Sequence, residues 1–198
     1  MSEDRRCDAL AHLEWTLTFD WSHRFDGRPL TPGWQSRAVS WRDGRVGTPP
    51  WSSALSKPGD LSWRGLCEAQ SLAGLDPSFR SGPAFCGSRA YGYYEGLENR
   101  FARKLDADGR CDTSPLARAI RGYLDIIHIH PFNDGNTRAA CTWFTWSMVS
   151  GGLDIPDLGL LIDLPKPPAN NKVPHLMERL VRRTDANTHI EEVSCAFN

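Results

Sequence analysis

The chain has 198 residues, of which 40% are hydrophobic and 24% charged, and its formal net charge is −1. This size and composition predict a globular protein of one domain, or of one domain with an appended segment, that buries a substantial core. The near-zero net charge argues against a broad surface for nucleic acid or for a membrane.

The first 60 residues predict strands and loops. The stretch LEWTLTFDW, residues 13–21, alternates apolar and polar side chains with the period of a half-buried strand. Residues 22–59 contain Asp-Gly pairs and several prolines, which predict turns, a hairpin around Asp43-Gly44 and little helix. We therefore expect an N-terminal β/loop extension over residues 1–60, followed by a helical domain over residues 61–198.

From residue 61 onward, the spacing of the apolar residues predicts helices. Residues 79–94 are rich in Gly and Tyr and lack helical spacing, which suits a loop or a short hairpin. The predicted helices cover residues 61–74 behind an Asp60 cap, residues 95–105 up to the run DADGRCD, a segment behind a Ser114 cap, a segment from Asn136 to Gly151-Gly152, and residues 175–183.

The turn between the two most apolar helices, residues 130–138, combines residues suited to binding an anion. A helix that begins near Asn136 presents unpaired N–H groups and the positive end of its dipole. Gly135 lets a ligand approach the backbone closely, and Arg138 adds a planar fork of donors for phosphate oxygens. The turn therefore predicts a phosphate-binding site.

Two further residues of this turn indicate catalysis. Asp134 would repel phosphates unless a divalent cation lay between them, which points to Mg²⁺. His130 can accept a proton near neutral pH, as a general base does. Phe132 is apolar, and we expect it to anchor the turn in the core. The alternative for a turn of this composition is a plain connection between two helices, with Arg138 in solvent.

The run HPFNDGNTR, residues 130–138, resembles the signature of the Fic family, H-x-F-x-[D/E]-G-N-x-R-x-x-R. A weaker resemblance extends from about Asp76, where DPSFR resembles the segment ahead of the family's flap, to about His189. It implies a mainly α, Fic-like helical bundle whose motif links two central helices, with a β-hairpin flap across the active site. The flap would lie within residues 80–94, and the candidate flap residues are Arg80, Tyr91 and Tyr93.

The resemblance also implies an activity, the transfer of a nucleotide monophosphate, usually AMP from ATP, to a Ser, Thr or Tyr hydroxyl of a target protein. His130 would be the general base, Asp134 the Mg²⁺ ligand and Phe132 a structural anchor. Mg²⁺ would be the cofactor, and ATP or another nucleotide donor the co-substrate. The residues that would contact the nucleotide or its phosphates are Asn133, Gly135, Asn136, Thr137 and Arg138.

One departure from the family pattern concerns its second arginine, which falls on Cys141. Losing a charge-assisted contact of this kind typically costs about 1.5–3 kcal/mol, which would weaken triphosphate binding or favour a different donor. The sequence also lacks a convincing [S/T]-x-x-x-E-[G/N] inhibitory motif. An inhibitory partner, supplied as a separate chain, therefore stays open.

Three hypotheses follow for the function. The leading one is a cytoplasmic Fic-type transferase, because the sequence has no signal peptide, no apolar membrane span and no C-x-x-C pair among its six cysteines, although export as an effector stays open. The second keeps the fold but changes the donor or acceptor: transfer of UMP, phosphocholine or phosphate, or a small-molecule acceptor. The third is a binding module without catalysis.

Overall fold

The computed structural model describes residues 3–21, 29–32, 34–35, 49–87, 89–156 and 158–163. Within these ranges the chain is mainly α-helical with one small antiparallel hairpin, which confirms the predicted fold class. None of the helices in these ranges is both long enough and apolar enough to cross a membrane. The elements are α1 (Glu3–Thr18), α2 (Pro49–Ser56), α3 (Trp63–Leu72), β1 (Ala84–Cys86), β2 (Arg89–Tyr91), α4 (Leu97–Arg110), α5 (Pro115–Ile129), α6 (Asn136–Ser150) and α7 (Leu158–Asp163).

Helices α5 and α6 form the centre of the bundle and pack closely against each other. Helix α5 begins as predicted, because Oγ of Ser114 accepts a hydrogen bond from the N–H of Ala117 at 3.1 Å. Gly122 allows the close contact, since a Cβ there would lie 1.9 Å from Nε1 of Trp143 on α6. The turn that joins the two helices is thus held between two firmly packed elements.

Helix α1 occupies the stretch where a strand was predicted over residues 13–21, so that prediction was wrong. Its buried residues are Ala9, His12, Leu13 and Thr16, which recur at the spacing of a helix. His12 and Thr16 are buried because both side chains bond to Asp125 of α5, at 3.1 and 3.0 Å. The buried face is therefore partly polar, so the spacing of the apolar residues alone did not reveal the helix.

Helix α2 also contradicts the expectation of little helix in residues 22–59, and it packs against α3 and α6. The hairpin predicted at Asp43-Gly44 and the helix predicted over residues 175–183 lie outside the described residues. The domain boundary at residue 60 stays a prediction.

Helices α3 and α4 differ from their predicted bounds for local reasons. Ser62 rather than Asp60 caps α3, and its Oγ accepts from the N–H of Gly65 at 3.0 Å. Helix α4 continues through the run expected to break it, since Asp106 accepts a hydrogen bond from the N–H of Trp63 at 2.7 Å. The acidic residues of this run therefore connect helices.

A buried group of charged residues, called here the charge cluster, joins α1, α4 and α5. Lys104 donates to both Asp108, at 3.0 Å, and Asp125, and Arg121 donates to Asp108. Burial alone would raise the pKa of Asp125, but Lys104 and His12 outweigh it and lower the pKa to about 2. The pKa of Asp108 is raised, because burial outweighs the attraction of Lys104. Asp125 is thus the better compensated carboxylate.

Candidate active site

The turn begins directly after α5 with an unusual backbone conformation. His130 has φ 55° and ψ 59°, and among the described residues it is the one non-glycine residue with positive φ. Its N–H still donates to the carbonyl of Ile126 at 2.9 Å, which closes the helix. Strained residues of this type cluster at functional sites, where the surrounding structure enforces them.

The imidazole of His130 lies against the hairpin. It stacks on the ring of Tyr91, with the ring centroids 3.9 Å apart and the planes 15° from parallel. Burial lowers the pKa of His130, a contact with the Ile127 carbonyl raises it, and the positive charges of Arg80 and Arg89 lower it further. The ring is consequently biased towards its neutral form, which is the form that accepts a proton.

Arg80 connects the hairpin to the end of α5. Its side chain is only 2% exposed and donates to the carbonyls of Ile129 and His130, at 3.0 and 2.8 Å, and to those of Gly82 and Gly92 on either side of the hairpin. Burial lowers the pKa of this guanidinium, yet it remains charged at neutral pH. Arg80, predicted as a flap residue, thus lies beneath the hairpin and fixes its base.

The middle of the turn is locked by Asn136 and Phe132. The side chain of Asn136 accepts from the N–H of Phe132 at 2.9 Å and donates to its carbonyl at 2.8 Å. The ring of Phe132 is fully buried and stacks on Trp63 of α3, with centroids 5.2 Å apart. Because both polar groups of the Asn136 side chain are engaged, a phosphate contact from this residue would come from its backbone N–H.

Asp134 and Arg138 lie at the start of α6 and bind each other. One oxygen of Asp134 accepts from Arg138 at 3.1 Å, and the other accepts from the N–H of Gly135 at 2.6 Å. The Asp134 side chain is 77% exposed and that of Arg138 20%. Exposed pairs of this kind contribute little stability, typically below about 1 kcal/mol, so a ligand can replace this pair at small cost.

Gly135 sits where no other residue fits without strain. It has φ 78°, and a Cβ there would lie 2.5 Å from Cδ1 of Leu75 and 3.1 Å from Oε1 of Gln70. Gln70, buried on α3, also donates to the carbonyl of Asp134 at 3.1 Å. Helix α3 therefore holds the turn from behind.

The other predicted positions lie around the same turn. Asn133 is exposed and Thr137 half-buried, while Tyr93 is half-buried with its ring centroid 5.7 Å from the guanidinium carbon of Arg80. Cys141 is fully buried in the core, one turn further into α6. That position therefore presents no cation to the turn.

The carboxylate of Asp134 fits a metal ion that is bound jointly by the protein and by the phosphates of a ligand. Within the described ranges, no three His, Cys, Asp or Glu side chains come together as a metal-binding group. Mg²⁺ is usually held by one or two carboxylates together with substrate phosphates, and the exposed carboxylate of Asp134 suits that arrangement. His128, the other histidine near the turn, instead stacks on His12 with centroids 3.9 Å apart.

Two residues important for the site's geometry escaped the sequence reasoning, Gln70 and Trp63. Both lie on α3, some 60 residues before the turn they support, and neither belongs to a recognisable pattern. Gln70 is, however, a polar residue among the apolar positions of an amphipathic helix, and such a buried polar residue must find a partner. The need of a buried glutamine for a hydrogen-bond partner was the signal that could have indicated its role.

Part of the chain that includes this turn is similar to a known protein family. Residues 82–148 match the model of the Fic/DOC family. No curated protein matches the chain. A Fic-type domain indicates a transferase. The matched segment includes the hairpin, α4, α5, the turn and most of α6, and this part of the chain is similar to the Fic/DOC family.

Proposed function

We propose that the chain is a Fic-type nucleotidyltransferase that moves AMP from Mg-ATP to the hydroxyl of a Ser, Thr or Tyr residue in a target protein. The observation that supports this most is the combination, in one turn, of a half-buried imidazole with an exposed carboxylate and a half-buried guanidinium at a helix N-terminus. His130 offers a base, and Asp134 and Arg138 offer opposite charges to a ligand. A plain connection between helices needs none of the three.

In this proposal His130 acts on the acceptor. As the acceptor oxygen bonds to the α-phosphorus, the bond to the pyrophosphate leaving group breaks and His130 takes the hydroxyl proton. Nδ1 of His130 is buried, which leaves Nε2 as the ring nitrogen that faces the acceptor. Burial, together with Arg80 and Arg89, lowers the pKa of the ring, which favours the neutral imidazole that a base requires.

Asp134 and Arg138 act on the nucleotide by exchanging their mutual ion pair for ligand contacts. Asp134 would hold Mg²⁺ and Arg138 would donate to phosphate oxygens, with the N–H groups of the first turn of α6 as further donors. Mg²⁺, when bound, supplies positive charge that neutralises the phosphates. Asn136 keeps its side chain in the turn and contributes only through its backbone.

A transfer assay with two labels tests the proposal. The purified chain is incubated with Mg²⁺, lysate proteins as acceptors, and ATP labelled at either the α- or the γ-phosphate. We expect protein labelling from the α-label alone. His130→Ala should abolish it while leaving the fold and most nucleotide affinity intact, because the imidazole acts on the acceptor rather than on the nucleotide. His128→Ala is the matched control, since that ring faces His12, and it should still label.

Two outcomes count against the proposal. Undiminished labelling by His130→Ala would refute the assigned base. Calorimetry that detects no Mg²⁺-dependent nucleotide binding by the unaltered chain would favour the binding module.

A second candidate function keeps the fold and changes the donor or acceptor, and Cys141 supports it. Its thiol is buried in the core, so the terminal phosphates of a triphosphate lack the cation that the family pattern supplies there. A donor without a triphosphate, as in phosphocholine transfer, would need that cation less. Transfer of UMP or phosphate, and transfer to a small-molecule acceptor, belong to the same candidate. Labelling with a panel of such donors separates the candidates, and ATP as the sole productive donor would eliminate this one.

A further inference from the structure

The face of the hairpin that carries Arg89 and Tyr91 lies against the catalytic turn. These residues are two apart on β2, so their side chains share one face of the hairpin. Tyr91 is buried and stacks on His130, and the guanidinium carbon of Arg89 lies 5.0 Å from the centroid of the Tyr91 ring. By contrast, Phe85, which is 71% exposed, pairs with Ala90, the residue that alternates to the other face. The hairpin thus has one face towards His130 and one towards solvent.

The position of this face is set by Arg80. Its donors bind carbonyls on both sides of the hairpin, at Gly82 and Gly92. They also bind the carbonyls of Ile129, which ends α5, and of His130, which follows it. One side chain therefore fixes the distance between the base of the hairpin and the residue that bears the imidazole. The stack of Tyr91 on His130 follows from this anchored geometry.

We propose that Tyr91 is a positioning residue, whose ring covers one face of the His130 imidazole and holds it in the orientation from which Nε2 meets the acceptor hydroxyl. This inference rests on the proposed function. An imidazole on a two-bond side chain can rotate, and an aromatic stack restricts that rotation. Nδ1 is already buried, so the rotamer held by the stack is the one that leaves Nε2 accessible.

Two positive charges, those of Arg80 and Arg89, act on the imidazole of this stack, and Arg89 also contacts the Tyr91 ring. Arg80 and Arg89 approach from the hairpin side, and Asp134 lies further along the turn. The hydrogen bonds of Arg80 and Asp134 do not involve the Tyr91 ring, and Phe at position 91 keeps the ring that Arg89 contacts. A change in the orientation of the imidazole that appears with Leu but not with Phe at position 91 can therefore be assigned to the loss of the aromatic face.

Paired variants test the inference. Tyr91→Phe keeps the ring and should retain kcat within about twofold. Tyr91→Leu keeps a buried apolar side chain but loses the aromatic face, and should lower kcat about tenfold with the nucleotide KM unchanged, as expected for losing one aromatic pair. Phe85→Leu, on the solvent face of the hairpin, is the matched control and should behave as the unaltered chain.

A measurement without turnover separates this inference from the proposed function. In NMR spectra of the full chain, the ring protons of His130 should show the ring-current shift of a stacked aromatic. We expect Tyr91→Phe to retain that shift and Tyr91→Leu to abolish it. Unchanged His130 resonances in Tyr91→Leu, or an equal loss of kcat in the Phe and Leu variants, would overturn the inference. If the unaltered chain transfers no AMP, the spectra still decide whether Tyr91 holds the ring.

Discussion

The charge cluster and the turn at residues 130–138 both contain ion pairs, but they satisfy their charges in different ways. In the cluster, Asp125 accepts hydrogen bonds from three side chains, those of His12, Thr16 and Lys104, and its side chain is 1% exposed. In the turn, the carboxylate of Asp134 is 77% exposed and its one side-chain partner is Arg138. Enclosed charges of the first kind support the fold, whereas the exposed pair is exchangeable and can serve a ligand.

The comparison predicts its largest effect at Asp125. Asp125→Ala leaves Lys104, His12 and Thr16 without their shared acceptor in a buried site. We expect the free energy of unfolding to fall by about 3–5 kcal/mol, the usual cost of breaking a buried ion pair by removing one partner. Urea unfolding of the variant beside the unaltered chain measures it.

The difference in unfolding free energy between the unaltered chain and Asp125→Ala should depend on pH. Because the folded pKa of Asp125 is lowered to about 2, its contribution is present above the unfolded value of about 3.9 and is lost as the pH falls through 2. The difference in stability should therefore be constant near neutral pH and shrink in strong acid. If Asp125→Ala lowered the free energy of unfolding by less than about 1 kcal/mol, as expected for an exposed ion pair, the distinction between the charge cluster and the turn would not hold.

A smaller effect is expected at Gly135, where the turn meets α3. Gly135→Ala combines a backbone with φ 78° and a contact of 2.5 Å to Leu75, and we expect a loss of about 1–3 kcal/mol in urea unfolding. Gly96→Ala is the matched control, since φ is 83° there and nothing lies within 4 Å of the added Cβ. The excess loss at Gly135 measures the crowding against Leu75 and Gln70, and equal losses would show that these two side chains do not restrain the turn.

The smallest effect on stability is expected at Asp134. Asp134→Ala should change the free energy of unfolding by less than about 1 kcal/mol, because it removes only an exposed ion pair. It should nevertheless abolish Mg²⁺-dependent ATP binding in calorimetry, since no other carboxylate lies in the turn. Glu68→Ala breaks an equivalent exposed pair with Arg64, at 3.0 Å, and should leave ATP binding intact. Intact Mg²⁺-dependent binding by Asp134→Ala would contradict the assigned metal ligand.

The central helices and the turn could be predicted from the sequence because local signals agree there. Ser114 and Pro115 mark the start of α5, the Gly151-Gly152 pair marks the end of α6, and both helices are strongly apolar. The turn contains a glycine at a position that requires positive φ. Each signal depends on neighbours in the chain, which is why the sequence reveals it.

Helix α1 and the length of α4 could not be predicted, because they depend on distant partners. The buried face of α1 includes His12 and Thr16, whose burial is favourable only opposite Asp125. Likewise, Asp108 favours a loop by composition but remains helical because Arg121 and Lys104 bind it. The support that α3 gives the turn through Gln70 is non-local in the same way.

The Arg80 side chain has a consequence for where the working unit of this protein begins. A guanidinium offers five N–H donors in a fixed plane, so it can serve several carbonyls at once, which a lysine ammonium on a flexible stem does far less well. Arg80 and Gln70 both precede residue 82, at which the family match starts. A fragment cut to the matched segment would keep every motif residue and lose the two side chains that hold the turn in place, so the folded unit around the turn begins upstream of that segment.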